Sequence, residues 1–249
     1  MEQQLASLLE GCRLGSPIHV HETLPSTMDE AHRLAAEGAK EGTLVVALQQ
    51  AHGRGRLGRV WESPEGGVYA SIILRPRRSP GESPQLALVT GLAAGETIRD
   101  TAGLYPSIRW PNDLLLDGKK VGGILTEARD RSVVVGVGIN VGAEPSRLPE
   151  GGTSLAAAGA AHVSREAIIT RLCWRLSTWY DIWTQGGFPA VREALRPWIG
   201  HFGQPVSIAA GTERFEGVAS DIDERGRLVV RLDAGTLRAF EMGEVSLLR

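Results

Sequence analysis

Residues 50–61 read QAHGRGRLGRVW, and this stretch limits the fold through what cannot follow it. Gly53, Gly55 and Gly58 satisfy G-x-G-x-x-G, but a dinucleotide-binding unit requires a helix to open inside the glycines and receive the pyrophosphate at its N-terminus. Residues 60–67 instead carry Trp61, Ser63, Pro64, Gly66 and Gly67, a turn-like composition, and residues 68–74 then read as a strand. A P-loop needs Lys followed by Ser or Thr after its last glycine, where this chain has Arg59 and Val60. With Val60 the string also fits the kinase glycine-rich loop, yet no H-R-D or D-F-G tripeptide occurs. What remains is a loop whose glycines let a ligand approach the backbone while Arg54, Arg56 and Arg59 offer planar forks of donors to carboxylate or phosphate oxygens. A solvated basic loop is the plainer alternative.

The chain around it is of ordinary globular composition. At 249 residues, 42% hydrophobic and 22% charged, it can bury one sizeable core, as one large domain or one with a small companion. A net charge of -2 gives no sign of a globally basic nucleic-acid binder or a membrane-surface protein, so any basic patch is local. The first fifteen residues lack the basic-then-apolar pattern of an export signal, and no apolar run approaches membrane-spanning length; the cytoplasm is the expected compartment. Cys12 and Cys173 lie far apart and outside any C-x-x-C or Cys/His cluster, which argues against a disulfide framework and a structural zinc site.

Pattern along the chain predicts strands alternating with helices, then a hairpin. Ser26 and Thr27, with Glu30 behind them, signal a helix through Ala36, and residues 43–48 read as a buried strand. A second helix starts at Ser83-Pro84 and runs to about Asp100. Residues 108–116 and 120–127 are extended segments joined by Asp117-Gly118, a strong two-residue hairpin signal, and residues 133–141 form another buried strand. Ile168, Ile169, Leu172, Leu176, Trp179, Tyr180 and Trp183 recur at helical spacing and mark a core-facing helix over 165–183, with a further helix over 189–198. About five short strands after a boundary at residues 202–204, including 206–209, 214–220, 228–232 and 237–242, suggest a small barrel.

Two further segments carry candidate chemistry. Arg109-Trp110-Pro111-Asn112-Asp113 interrupts an extended run with a proline and then presents an amide and a carboxylate; a strand kink with local Asn and Asp turn bonds would explain it equally. In the hairpin arm, strict alternation puts Lys120 on one face with Gly122 and Ile124, and Lys119 on the other with Val121 and Leu125. A lysine beside Gly122 and Gly123, facing Gly136, Gly138 and Asn140 on the next strand, suits a point charge held against an anion. Two solvated hairpin lysines remain the plain reading.

Taken in order, QxxGRGRxGRxW over 50–61, RWPND over 109–113, KVGGIL over 120–125 and GxGIN over 136–140 resemble biotin protein ligase, and the likeness runs from about Pro25 to the terminal Gly243-Glu244-Val245-Ser246. The resemblance implies an α+β fold: a mixed β-sheet covered by helices, of the biotin/lipoate ligase and class II synthetase kind, over residues 1–202, and a small C-terminal SH3-like β-barrel over 203–249. It implies two steps. Biotin's carboxylate attacks the α-phosphate of Mg2+-bound ATP, releasing pyrophosphate, and the biotinyl-adenylate then acylates a lysine of a biotin carboxyl carrier protein, as in a biotin-dependent carboxylase. Neither nucleic acid nor membrane is an expected partner, and edge-to-edge pairing of central sheets would make a homodimer.

By the same resemblance Ser26, Thr27 and Gln50 hold biotin's polar ring. Gly53, Arg54, Gly55 and Arg56 surround the carboxylate and adenylate phosphate, Arg59 reaches the departing phosphates, and Trp61 packs over the ligand. Lys120 binds the carboxylate and phosphate oxygens in the transition state, so Lys120, Arg54 and Arg56 form the catalytic set. Gly123 and Ile124 line the biotin pocket. Asn112 and Asn140 contact the nucleotide, where Asp113 partners the metal or the lysine. Met28 stands where some relatives carry Asn after the Ser-Thr pair, and Gly151-Gly152-Thr153 where certain members place a tryptophan against adenine. About twenty-five residues precede the Ser-Thr pair, too few for a winged helix, so ligation without operator binding is expected. Lipoate or octanoate ligation on a related fold, and a non-catalytic nucleotide- or carrier-binding module, are the alternatives.

Overall fold

The computed structural model describes residues 1–233, 235–241 and 243–248. Its elements are α1 (Glu2–Leu8), β1 (Ile18–Leu24), α2 (Thr27–Ala36), β2 (Leu44–Gln50), β3 (Gly67–Leu74), α3 (Gln85–Ala102), β4 (Ser107–Arg109), β5 (Asp113–Leu116), β6 (Lys119–Arg129), β7 (Ser132–Asn140), α4 (Arg165–Gly186), α5 (Pro189–Leu195), β8 (Pro205–Ala210), β9 (Glu213–Ile222), β10 (Leu228–Leu232), β11 (Leu237–Phe240) and β12 (Glu244–Leu247). The first seven strands form one sheet in the order β1-β2-β3-β7-β6-β5-β4. β1 and β2 run parallel and every other neighbouring pair antiparallel, so the sheet is mixed as expected. The last five strands make a separate antiparallel sheet, β11-β10-β9-β8-β12, which fits an SH3-like unit. Met242, the expected end of the fourth barrel strand, lies outside the described residues.

Side-chain alternation decides which face of the large sheet becomes core and which becomes site. On β7, Val133, Val135, Val137 and Ile139 enter the main core, together with Val68, Ala70, Ile72 and Leu74 of β3 and the apolar faces of α3 and α4. The intervening residues of β7 turn the other way. There Val134 packs with Val45, Ile73 and α2's Met28, Ala31 and Ala35 in a second, smaller cluster, and Gly136, Gly138 and Asn140 continue that face beyond the helix. One face is thus fully covered by long helices. The other is covered by a single ten-residue helix and lies open past it.

Three local expectations are corrected. Residues 108–116 are not one extended segment: the chain reverses over residues 110–112, and β4 pairs back on β5 with Arg109 opposite Asp113. Proline, lacking an N–H, ends the ladder there. The Asp117-Gly118 hairpin forms as anticipated, with both residues left-handed at φ 48° and 76°. The helix over 189–198 is α for only seven residues before Pro197 tightens it into a 3-10 turn over Arg196–Trp198. Finally, α1 and β1 were not anticipated, because β1's sequence, IHVHETL, hides an edge strand among polar residues. Among the described residues no helix is long and apolar enough to cross a membrane.

Candidate functional site

A cavity of about 380 Å³ opens on the α2 face, between β6, β7, residues 50–61, residues 109–113 and residues 243–246 of the small sheet. Its floor is glycine. A Cβ added to Gly138 would stand 2.6 Å from Trp61's ring, one on Gly123 would stand 3.0 Å from it, and one on Gly136 would meet Met28 Sδ at 2.6 Å. The close approach that these glycines imply is made by the chain's own Trp61 and Met28.

Lys120 reaches this floor by a route that alternation alone misplaces. Leu115 pairs with Lys120 and Leu114 with Gly122, so Val121 stands unpaired in a β-bulge. The extra residue flips the phase. Lys120 therefore shares a face with Gly123, whose added Cβ would lie 3.4 Å from Lys120 Cε, and not with Gly122 and Ile124. Ile124 lines the cavity and also packs in the main core, while Leu125 turns to the smaller cluster on the side of Gly123. Lys120 Nζ is 2.6 Å from Asp113 Oδ1 and 5.3 Å from the centre of Trp61's ring.

At another part of the cavity wall Ser26 caps α2, its hydroxyl accepting from Met28 N. Gln50 Oε1 accepts from Thr27 N at 2.8 Å and Thr27 Oγ1 at 3.1 Å, while Gln50 Nε2 donates to Ser63 and Ser71 donates to Thr27. Ser63 and Ser71 escaped the sequence reading. Ser71's signal was a polar residue at an α2-facing position of an otherwise apolar strand.

The arginine-glycine stretch is a small hairpin. Arg54 bridges Val60, Gly55 N donates to Arg59 O, and Trp61 N donates to Gly53 O, with Leu57 and Gly58 left-handed at the tip. Gly53 is obligatory, since a Cβ there would lie 2.3 Å from Trp61 O. Each guanidinium goes to a different anchor. Arg56 donates to Asn112 Oδ1 at 3.0 Å and Gly243 O at 3.4 Å, and burial lowers its pKa. Arg59 donates to Glu244 at 2.7 Å. Arg54, expected at the substrate carboxylate, is held instead by Glu127 and Asp29, both at 2.9 Å, because α2 and β6 supply two carboxylates directly beside it. Asp29, Glu127 and Glu244 were not singled out from sequence as partners of this loop.

Asn112 Nδ2 donates to Ile124 O, and Asn140 Nδ2 to Thr153 O. Residues 151–153 run beside Lys120, exchanging main-chain hydrogen bonds with it. Among the described residues, Arg54 Nε, Trp61 Nε1 and Asn140 Oδ1 are buried without a hydrogen-bond partner, so two donors and an acceptor are left over around the site. Asp113 does not fit a metal ligand: its two oxygens are taken by Lys120 and Arg109, each at 2.6 Å. No group of three His, Cys, Asp or Glu side chains able to hold a metal ion occurs among the described residues.

Comparison with known proteins agrees with this geometry. Residues 20–144 match the biotin/lipoate A/B protein ligase family and residues 201–248 the biotin protein ligase C-terminal domain. The chain is 36% identical over 237 residues to the bifunctional ligase/repressor BirA of Bacillus subtilis, covering 91% of this chain and 73% of that one. It is 32% identical over 228 residues to biotin–[acetyl-CoA-carboxylase] ligase of Paracoccus denitrificans, covering 84% and 92%. Its structure superposes on biotin protein ligase from Aquifex aeolicus in complex with biotin and ATP with a TM-score of 0.82 at 28% identity, covering 94% of this chain and 99% of that one. The chain belongs to the biotin/lipoate A/B protein ligase family, on its biotin protein ligase branch.

Proposed function

We propose that this chain is an ATP-dependent biotin protein ligase that makes biotinyl-5'-AMP and passes the biotinyl group to a lysine of a biotin carboxyl carrier protein. One observation carries the reading: a single cavity joins the Lys120 ammonium and Arg56 guanidinium to the glycine-floored Trp61 and the Thr27–Gln50 polar pair. The cationic part suits a carboxylate and a phosphate. The polar pair suits a ring with its own donors and acceptors.

Both reactants in the first step are anionic, so the barrier includes a repulsion that fixed cations offset while they orient the attack. The biotin carboxylate oxygen attacks the α-phosphorus, the bond to pyrophosphate breaks, and the electron pair leaves with pyrophosphate. Lys120, held by Asp113, neutralises the charge gathering between the two oxygens, with Arg56 beside it and Arg59 nearer the leaving group. In the second step the carrier's amine attacks the acyl carbon and AMP departs. Mg2+ would come with the nucleotide and offset its phosphate charge, since no group of three His, Cys, Asp or Glu side chains able to hold the ion occurs among the described residues.

The site roles rest on the resemblance, and the cavity lining supports most of them. Ser26, Thr27, Gln50, Gly53, Gly55, Trp61 and Gly123 shape the biotin end, and Arg56, Arg59, Asn112 and Asn140 the nucleotide end. A larger cavity of about 890 Å³ shares Arg56, Asn112 and Ile124 with the first and gives the carrier lysine an approach. The chain divides into a catalytic unit, residues 1–202, and a C-terminal unit, residues 203–249, whose Gly243 and Glu244 close the nucleotide end. Of the two activities in the Bacillus relative's name, the cavity supports ligation. The buried free thiols Cys12 and Cys173 accord with a cytoplasmic setting, and β1 and β4, the sheet's outer strands, are where a homodimer could pair edge to edge. Octanoyl transfer through a thiol is disfavoured, since burial raises the Cys173 pKa.

Pyrophosphate exchange into ATP, measured separately with biotin, lipoate and octanoate, tests the function. Exchange is expected with biotin alone. Exchange favouring lipoate or octanoate, or none with any acid, rejects it.

A further inference from the structure

Arg54 is tied down differently from its two neighbours. Arg56 and Arg59 reach Asn112 and Glu244, whereas Arg54, which also lines the cavity, turns to the carboxylates of Glu127 on β6 and Asp29 on α2. Glu127 takes it with both oxygens, Oε1 from Nη1 at 2.9 Å and Oε2 from Nη2 at 3.1 Å, and Asp29 Oδ1 adds a contact at 2.9 Å. This carboxylate is itself held from behind. His32 Nε2 lies 3.0 Å from Glu127 Oε2 and the ring is only 6% exposed, while Arg129 reaches the same oxygen at 3.3 Å from the solvent side. Asp29 and His32 are one turn apart on α2, so the helix whose N-terminus lines the cavity also supplies two supports for the loop.

We propose that His32, Glu127 and Asp29 form a positioning relay that fixes Arg54 as the immobile post of the 53–61 hairpin, leaving Arg56 and Arg59 free to exchange partners when substrates bind.

The charges support a fixed post. Two carboxylates face two guanidiniums, so the cluster is balanced with a neutral His32, and burial, followed by the nearby Arg129, lowers that ring's pKa and favours the neutral form. A neutral imidazole whose Nε2–H donates to Glu127 orients the carboxylate without competing for Arg54's charge. The hairpin in turn carries Trp61, which covers Gly123 and Gly138, so motion at Arg54 would be felt at the floor. His32, Glu127 and Asp29 touch none of the reacting groups. They act through Arg54. The consequence for the acyl-adenylate rests on the ligase reading above; the anchoring does not.

The anchoring is tested by amide hydrogen exchange at Gly55 and Trp61, whose N–H groups close the hairpin ladder. Glu127→Ala and His32→Leu are expected to speed exchange at both amides by about tenfold, with core amides of β7 unaffected, and His32→Gln, which keeps a donor, to restore protection. Glu127→Ala in an Arg54→Met background is expected to add nothing further. In the working enzyme the same variants are expected to release the acyl-adenylate about tenfold faster and to raise the KM for biotin more than they lower kcat. Unchanged protection in Glu127→Ala, or a full additional effect of that change without Arg54, overturns the proposal. A wild-type protein that exchanges no pyrophosphate with biotin overturns the ligase reading, and the amide measurement still decides the relay.

Discussion

Asp113 holds Lys120 and Arg109 at once, one cation on each carboxylate oxygen and both at 2.6 Å. The arrangement depends on two irregularities: the reversal over residues 110–112 brings Arg109 opposite Asp113, and the bulge at Val121 turns Lys120 toward the cavity. With its carboxylate committed, Asp113 serves as an aiming device for the ammonium. Lys120→Ala is expected to slow biotin-dependent pyrophosphate exchange by about 10²- to 10³-fold, on the scale of removing a preorganised charge from a transition state. Lys120→Arg should not restore it, because a planar fork replaces a compact charge at a site shaped by Trp61. Asp113→Asn keeps an acceptor but loses the charge, and a smaller loss of about tenfold is expected. Exchange in Lys120→Ala close to that of wild type would remove the lysine from the first step.

The glycine floor gives a steric prediction. Gly138→Ala puts a carbon 2.6 Å from the Trp61 ring, too close for any relaxed contact, so the ring must shift. A cost of about 1–3 kcal/mol in stability and a raised KM for biotin are expected together. Trp61→Phe in the same chain removes the colliding atoms and should recover part of both. Unfolding midpoints and biotin KM for the two single variants and the double variant form the cycle that checks it, and simple additivity would show that Trp61 does not rest on this glycine.

Much of this site was legible in the sequence for identifiable reasons. Glycines at alternating positions of an apolar strand, as at Gly136 and Gly138, have few explanations other than close approach, and Asp117-Gly118 set its hairpin unaided. The phase of Lys120 was not legible. A bulge is a property of two strands, and nothing local to Lys120-Val121-Gly122 announces that Leu114 and Leu115 will pair around Val121. Arg54's destination was hidden for a related cause: Glu127 lies 73 residues away and reads in sequence as one more polar residue at the end of a strand. Composition also concealed β1, where two histidines and a glutamate occupy an outer strand that buries little.

Arg59 and Glu244 join the hairpin to the C-terminal sheet at 2.7 Å, with 68% and 34% of their side chains exposed. An exposed pair of this kind contributes little to folding, about 0–1 kcal/mol. Its importance lies in competition. On the proposed reading, Arg59 cannot serve the Glu244 carboxylate and the departing phosphates together, and Glu244 would place a negative charge beside the nucleotide's own. Glu244→Gln is therefore expected to lower the KM for ATP at low salt, with the difference shrinking as ionic strength rises and the unfolding midpoint almost unmoved. A higher KM for ATP would mean that Glu244 positions the arginine for the nucleotide instead of withholding it.

Far from the cavity, Asp100 joins the C-terminal end of α3 to the first half of α4. Burial alone would raise its pKa, but hydrogen bonds from Arg175, Arg171 and Arg99 outweigh that and hold the carboxyl at about 2, below its ordinary value of 3.8. A carboxyl depressed in the folded state stabilises the fold above its unfolded pKa, and that stabilisation fades as pH falls from about 4 toward 2. Because the arginine partners are half-exposed and solvent screens them, the linked contribution at neutral pH is about 1 kcal/mol. Asp100→Asn should therefore destabilise the protein by about that amount at pH 7 and by much less near pH 2, where the wild-type carboxyl is itself about half protonated and most of the linked stabilisation is gone. Urea unfolding of both proteins across this range provides the measurement. An equal loss at both ends would assign the effect to packing between α3 and α4, not to the charge held by the three arginines.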